Sequence, residues 1–460
     1  MSQPHSGLSL WLEQAGDLTP RAALPGPRDV DIAIVGAGFT GLWSAYYLKR
    51  ADPSLRLAVL ERNIAAYGAS GRNGGWCLGH MNGSIKTYAR HGGREAAVAM
   101  KRECLRTVDV IGETLAAEGV DAGFVKGGAL TVARTQQQQQ VLQATIAHDR
   151  EWGLGEEVST WLSAGKLAER VRVADGLGAR YERQCARVHP ARLARGLAGV
   201  VEELGVPIYE QTTVTGIDPG VVGTDRGAVR AEVAVRATEG YTPTIAGQGR
   251  RIQPLTSQIV ATEPLPVEVW NAIGLDRREV FADMAHLGVY CQRTVDDRVA
   301  MGGRGGFAPR HKGLVEAEIL DPRVFAALRR AVRTLLPATA GARFTHAWGG
   351  VWGAARDWAP TVGYEPGRGL AWAGGYGDGV CASNFAARTI ADLVLRRDTE
   401  LTRYPWVNHP APAWPPDPLP RVGARLISGA YGLADAVAGR TGRAPGWVKV
   451  VDRVSRLGDK

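Results

Sequence analysis

Residues 30–35, Val-Asp-Ile-Ala-Ile-Val, form an apolar run that enters Gly-Ala-Gly-Phe-Thr-Gly at 36–41. Apolar positions then recur at helical spacing, with Leu42, Ala45, Tyr46 and Leu48 on one face, which predicts a helix. A second apolar run, 57–60, ends on Glu61. Strand, glycine turn, helix and strand in this order make the βαβ unit of a dinucleotide-binding fold. Further helices are predicted at 95–115, 136–152, 191–205, 321–335 and 378–396. Strands are predicted at 128–134, at 206–214 continuing through 215–218, and at 229–235, 255–261, 289–293 and 299–302. Short aromatic strands fill 344–376. Residues 1–29 read as an irregular arm with Pro20, Pro25 and Pro27. A proline-rich tail begins after 401 and carries an amphipathic stretch, Leu426, Ile427, Ala430, Tyr431, Leu433, Ala434, Ala436 and Val437. Such a stretch packs on the body of the protein or lies against a membrane surface.

The glycine turn has a physical role at each position. Gly36 permits the tight turn, Gly38 lets backbone approach a pyrophosphate, and Gly41 lets helix pack on strand. The helix N-terminus offers free N–H groups and the positive end of a dipole to phosphate. Glu61 can accept from ribose hydroxyls, and its charge disfavours a 2′-phosphate. No second G-x-G-x-x-G stands between a strand and a helix. Gly302-Gly-Arg-Gly-Gly306 follows a strand, but Phe-Ala-Pro-Arg breaks any helix behind it. One nucleotide site is therefore expected, with electrons entering from an organic substrate.

Composition narrows the class. The chain has 460 residues, 45% apolar and 22% charged, as in ordinary globular proteins. No apolar run approaches the roughly 18 residues of a membrane span, and the N-terminus shows no secretory signal. The expected location is cytoplasmic. Five cysteines without C-x-x-C spacing argue against a disulfide framework or a zinc knuckle. Nine histidines without clustering support no metal site. The net charge of +9 could mean anionic partners, but scattered Arg speaks against a nucleic-acid face. The run Gln136 to Gln140 reads as an exposed helix face.

A few residues past Glu61 stands Tyr67-Gly-Ala-Ser-Gly-Arg-Asn-Gly-Gly75. With the opening motif, this resembles the D-amino-acid oxidase-like (DAO) family of FAD-dependent oxidoreductases. It is most similar to the γ-glutamylputrescine oxidase-like amine oxidases. Three later segments agree: Ile208–Thr215, Ala237–Gly240, and Leu370–Val380 leading into a helix. The resemblance implies an α/β fold in which an FAD-binding Rossmann-like domain of the glutathione-reductase type is interleaved with a mixed-sheet α+β substrate domain. The FAD domain is expected to be discontinuous, at 30–85, 186–254 and 345–400. The substrate domain is expected at 86–185 and 255–344, after an N-terminal arm at 1–29 and before a tail at 401–460.

The resemblance also implies the cofactor contacts. Gly36, Gly38, Phe39, Thr40 and Gly41 would face the pyrophosphate, and Glu61 the ribose, with Arg62 also binding the cofactor. Ala69, Ser70, Arg72, Asn73, Gly74, Gly75 and Trp76 would wrap the pyrophosphate and the isoalloxazine edge, with Arg72 adding charge and Asn73 amide donors. Val214 would meet adenine. Gly375, Gly377, Asp378, Gly379 and Val380 would bring a helix N-terminus to the flavin, where its dipole favours negative charge. Segment 374–380 is one residue shorter than the usual family form. No Cys lies between 292 and 380 to supply the covalent link of sarcosine oxidases, so noncovalent FAD is expected.

The family reaction oxidises a C–N bond of an amine or amino acid by hydride transfer to flavin N5. The resulting imine hydrolyses, and O2 or another acceptor takes the electrons, with hydrogen peroxide formed from O2. Sarcosine oxidases carry a Lys that promotes reaction with O2; the comparable stretch His286–Arg293 has none. A same-fold dehydrogenase using a quinone or electron carrier, docked through the tail, therefore stays open. So does an RNA-modifying or RNA-binding flavoprotein. Candidate substrate-side residues are His286 and Tyr290, which could face the flavin or substrate, and Arg293 or Arg304, which could hold a carboxylate. Trp352 stands in an aromatic group with Trp348, Trp358, Tyr364, Trp372 and Tyr376, which either walls the substrate pocket or packs the sheet.

Overall fold

A computed structural model describes residues 5–286, 288–307, 320–441 and 443–455. The helix break expected at 308–310 lies outside them. In chain order the first strands are β1 (Arg28–Val35), β2 (Leu57–Leu60), β3 (Trp76–Leu78), β4 (Ala129–Ala133), β5 (Thr160–Ser163), β6 (Gly178–Glu182), β7 (Cys185–Arg187), β8 (Ile208–Tyr209) and β9 (Val214–Asp218). They continue as β10 (Val221–Thr224), β11 (Gly227–Arg236), β12 (Gln253–Thr262), β13 (Val280–Asp283), β14 (Val289–Arg293), β15 (Val299–Phe307), β16 (Phe344–Ala354), β17 (Thr361–Glu365) and β18 (Leu370–Gly374).

Two sheets dominate. The first runs β17-β18-β11-β1-β2-β8, with the β9–β10 hairpin attached to β11. Strands β18, β11, β1, β2 and β8 are parallel, and β17 closes the edge antiparallel to β18. The inner halves of β1 and β2 are buried, as expected for parallel strands covered on both faces. The Phe39–Ala51 and Gly379–Val394 helices pack together over this sheet through Leu42, Trp43, Phe385 and Ile390, all fully buried. The second sheet runs β16-β12-β15-β14-β13-β4-β6-β5 and is antiparallel except where β13 meets β4. Segment 345–400 thus divides between the layers: β16 joins the second sheet and β18 the first.

Three elements differ from the sequence reading. The expected 206–214 strand is only Ile208–Tyr209, because Gln211 turns at φ 49°. The helix expected at 95–115 spans Ile85–Ala117, capped by the Ser84 hydroxyl, with Gly93 breaking it at φ 84°. The arm contains a Leu10–Glu13 helix whose first three residues are buried. Its Ser9 Oγ donates to the Gly71 carbonyl (2.8 Å) and its Trp11 Nε1 to the Asn73 carbonyl (2.8 Å). The arm therefore buttresses the Gly-rich loop. Among the described residues, no helix is long and apolar enough to cross a membrane, and no cluster of three His, Cys, Asp or Glu could hold a metal.

Candidate active site

One cavity of about 1700 Å³ runs from the start of β9, past the end of β1, to a chamber between the second sheet and the C-terminal tail. A drug-sized ligand needs roughly 300–1,000 Å³, so a dinucleotide and a substrate fit together. Its first half is made of close backbone approaches. Gly36 sits at φ 105°, and a Cβ there would lie 2.7 Å from the Ala237 carbonyl oxygen. A Cβ on Gly41 would collide with the Gly36 carbonyl oxygen. Side chains are excluded at both places, so the Phe39–Ala51 helix starts directly beneath the turn. Its N-cap, Gly38, offers no side-chain cap. The Phe39 N–H donates to Ser70 Oγ (2.9 Å).

Glu61 follows directly on β2 and lines the cavity. Its carboxylate accepts from the Ala37 N–H (2.9 Å) and the Asn63 N–H (2.8 Å). Burial raises its pKa against these donors. A carboxylate offers about four acceptor sites, so room is left for hydroxyl donors, and these would relieve the cost of burying the charge. Arg62 lies over the Tyr241 ring at 5.4 Å, and Val214 lines the wall beyond.

The loop at 67–76 holds its shape by its own bonds. Asn73 Nδ2 donates to the Ala69 carbonyl (3.0 Å), and its Oδ1 accepts from the Gly75 N–H (2.8 Å). Asn73 thus shapes the loop, and the expectation that it presents amide donors to phosphate is corrected. Arg72 is buried, donates through Nε to the Tyr67 carbonyl (2.8 Å) and stacks on the Tyr67 ring at 4.5 Å. Trp348 Nε1 donates to the Arg72 carbonyl (3.0 Å), tying the loop to β16. A Cβ on Gly74 would meet the Tyr290 ring at 2.5 Å, and Gly75 turns at φ 71°. Trp76 lines the cavity, and its buried indole N–H has no acceptor among the described residues.

The end of β18 brings a second helix N-terminus to the same cavity. Gly375 and Gly377 turn at φ 80° and 71°, and the Gly379–Val394 helix follows with Asp378 as N-cap. Asn82 Nδ2 donates to the Tyr376 carbonyl (2.7 Å), and Thr40 Oγ1 donates to the Tyr376 hydroxyl (3.3 Å). The two helix starts are thereby joined, and their positive ends face one volume.

Glu239 was not foreseen. It lies in the cavity wall at φ 41°, between the two halves of the site. Its carboxylate accepts from the Gly353 N–H (3.2 Å) and the Gly375 N–H (2.8 Å), linking β16 to the turn after β18. The one available sequence signal was an acid in the Ala-Thr-Glu-Gly stretch. Burial pushes its pKa up to about 7. Because the folded value is raised, the stabilisation is complete below the unfolded pKa near 4.5 and is lost as pH rises through about 7. From about pH 5 to about pH 8, the wild type should lose on the order of 2–3 kcal/mol relative to Glu239→Gln. Urea melts across that range check this.

The substrate-side candidates separate. Tyr290 faces the cavity against Gly74, its hydroxyl shares a hydrogen bond with Ser257 Oγ (2.7 Å), and burial pushes its pKa up to about 12. Gln292, two residues on, donates from Nε2 to the Gly74 carbonyl (2.6 Å). Strand alternation sends Arg293 to the other face. There it bonds Asp297 (2.7 Å) and Asp276 (3.3 Å) and lies over Trp270 at 4.4 Å. The reading of Arg293 as a carboxylate clamp is corrected accordingly. Arg293→Gln should leave the KM for substrate within about twofold, as steady-state kinetics would show, because its ion pairs and its contact with Trp270 lie on the face away from the cavity. Arg304 stands on β15 opposite Ser257; its side chain lies outside the described part.

His286 lines the cavity but is engaged by the tail. Its Nδ1 meets Asp435 Oδ1 at 2.7 Å, its N–H donates to the same oxygen (3.0 Å), and its ring stacks on Tyr431 at 5.2 Å. The Asp435 hydrogen bond raises its pKa. His286 thus keeps its place in the cavity wall and also anchors the Leu419–Thr441 helix.

The aromatic group divides as well. Trp352, Trp358 and Tyr376 line the cavity. Trp348 packs on Trp11 at 5.7 Å, Trp372 Nε1 donates to Thr361 Oγ1 (3.3 Å), and Tyr364 sits in the core behind the first sheet. Trp414 and Tyr431 from the tail complete the chamber, and Arg356 lies over Trp414 at 5.2 Å.

A family model described as "FAD dependent oxidoreductase" (DAO) matches residues 31–393. Gamma-glutamylputrescine oxidoreductase of Escherichia coli is 27% identical over 402 residues, covering 85% of this chain and 89% of that protein. A probable oxidoreductase, OrdL, of Haemophilus influenzae is 25% identical over 391 residues, covering 83% and 86%. The glycine oxidase structure from Geobacillus kaustophilus superposes with a TM-score of 0.65 at 22% identity, over 81% of this chain and 96% of that one. The cradle at Gly36–Gly41, the Glu61 carboxylate and the second helix start at Gly379 fit an FAD, and the family model spans all of them. The chain belongs to the DAO family of FAD-dependent oxidoreductases.

Proposed function

We propose that the protein oxidises the C–N bond of an amine or amino acid bound in the aromatic chamber, with noncovalent FAD in the glycine cradle. The observation that carries this is the continuity of the two: the Trp352 ring stands beside Gly377, at 3.6 Å from where a Cβ there would lie. The names of the relatives support the substrate class, since one is a gamma-glutamylputrescine oxidoreductase and another a glycine oxidase. Among the described residues no cysteine lines the cavity, which supports the noncovalent reading.

FAD supplies the two-electron acceptor for the hydride that leaves the carbon next to nitrogen. The two helix starts would hold the phosphates and favour negative charge at the far end. Glu61 would accept from ribose hydroxyls, and Val214 would border adenine. An alkylammonium has a pKa near that of Lys, about 10.4. Walls such as Trp352, Trp358 and Tyr290 desolvate it and lower that value, so the neutral amine is reached without a dedicated strong base. Their faces also pack against the apolar carbons of the substrate. Arg356 lines the same chamber and has no carboxylate partner among the described residues. It would take a carboxylate or amide elsewhere on the substrate. Water then hydrolyses the released imine.

An assay of amines and amino acids in air, following carbonyl product and peroxide, tests this. Carbonyl and peroxide in equal amounts support an oxidase. Carbonyl only with an added quinone supports the dehydrogenase form. No carbonyl from any amine with either acceptor refutes the proposal.

A further inference from the structure

The C-terminal tail lies outside the stretch matched by the family model, which ends at residue 393. Its Leu419–Thr441 helix is apolar on two faces. The inner face presents Ala424, Ile427 and Tyr431 to the cavity, and Asp435 bonds His286. The Val448–Ser455 helix folds back through Val448 against Tyr431 and Ala434, and the Tyr431 hydroxyl donates to Asp452 (2.8 Å). These contacts fix which way the helix points.

The outer face carries Val422, Leu426 and Leu433 at 50%, 70% and 60% exposure, and Leu419, 62% exposed, stands at the helix start where it also borders the cavity. Val422, Leu426 and Leu433 recur at helical spacing along one stripe. Val450 and Trp447 of the following segment are exposed as well, at 61% and 40%. Elsewhere the strongly exposed large apolar side chains of the described residues are scattered singly, at Val125, Val141, Leu177 and Val267. Single exposed apolar residues are ordinary, whereas a contiguous patch marks a docking site.

Charge identifies the occupant. From Leu419 to the end, the sequence holds six Arg and two Lys against three Asp, more than half of the chain's net charge of +9. Two copies of such a tail repel, so self-association is disfavoured. A bilayer bearing anionic headgroups answers both features at once: lysines and arginines meet the headgroups while the leucine stripe enters the acyl boundary. We propose that the C-terminal helical pair docks the protein on an anionic membrane surface through Val422, Leu426 and Leu433.

Flotation of the full-length, FAD-loaded protein with vesicles tests this. With about 30% phosphatidylglycerol in phosphatidylcholine, bound protein should exceed that on pure phosphatidylcholine by at least about tenfold, and should fall as salt is raised. Leu426→Asp combined with Leu433→Asp should return it to background. Unchanged flavin absorbance and melting temperature in that variant would show it folded. Three results would overturn the proposal. One is no flotation of the wild type at low salt. Another is flotation indifferent to the double variant. The third is a wild-type dimer by light scattering that Leu426→Asp converts to monomer, which would assign the stripe to a second copy.

Discussion

Gly41→Val should yield a folded protein that is purified colourless and binds FAD up to about a hundredfold more weakly. The position allows no side chain, since a Cβ would run into the Gly36 carbonyl oxygen and lie 3.3 Å from Ile34. The clash is with backbone, so no rotamer change relieves it. The start of the Phe39–Ala51 helix must lift off the turn, and its free N–H groups then leave the position where they would meet phosphate. Overpacking of this kind costs typically 1–3 kcal/mol, and about 3 kcal/mol of lost binding is roughly a hundredfold. Flavin absorbance after gel filtration and titration with added FAD measure the effect. Gly429→Ala, in open space on the tail helix away from the cavity, is the control that should bind FAD normally.

Trp352→Ala should keep FAD and lose about thirtyfold or more in kcat/KM. Trp352 packs with Trp358 (ring centroids 6.3 Å apart), Leu255 and Trp414, and borders the Gly375–Gly377 turn. Its removal opens the chamber where substrate must be held and admits water that would stabilise the charged amine. Burial of one aromatic wall contributes about 2 kcal/mol, which is roughly thirtyfold. Trp352→Phe should recover most of the loss. If the alanine variant kept both kcat and KM, Trp352 would only pack the sheet.

The βαβ unit that opens the FAD-binding layer was legible because its constraints are local. Gly36, Gly38 and Gly41 lie within one turn, and the apolar runs on either side leave few alternatives. The Arg293 error was avoidable from sequence. Tyr290 and Arg293 are three apart on a strand, so they point to opposite faces and cannot both reach one pocket. The tail was harder. Leu426 and Leu433 on one side and Ile427, Tyr431 and Ala434 on the other read as a single apolar face, yet only the second set meets the protein. Glu239 left almost no local trace. Its importance comes from β16 and β18 arriving beside it, which no spacing along the chain encodes. Among the aromatics, sequence placed six together, and only the paths of β16, β17, β18 and the turns that follow β16 and β18 separate cavity walls from sheet packing.

The central claim is that this cavity transfers electrons from an amine to FAD. Anaerobic titration of the yellow protein with a panel of amines and amino acids measures it in one step. The account predicts that at least one amine bleaches the oxidised flavin, in proportion to the carbonyl product formed. A folded, FAD-saturated protein whose spectrum no amine or amino acid changes would contradict it.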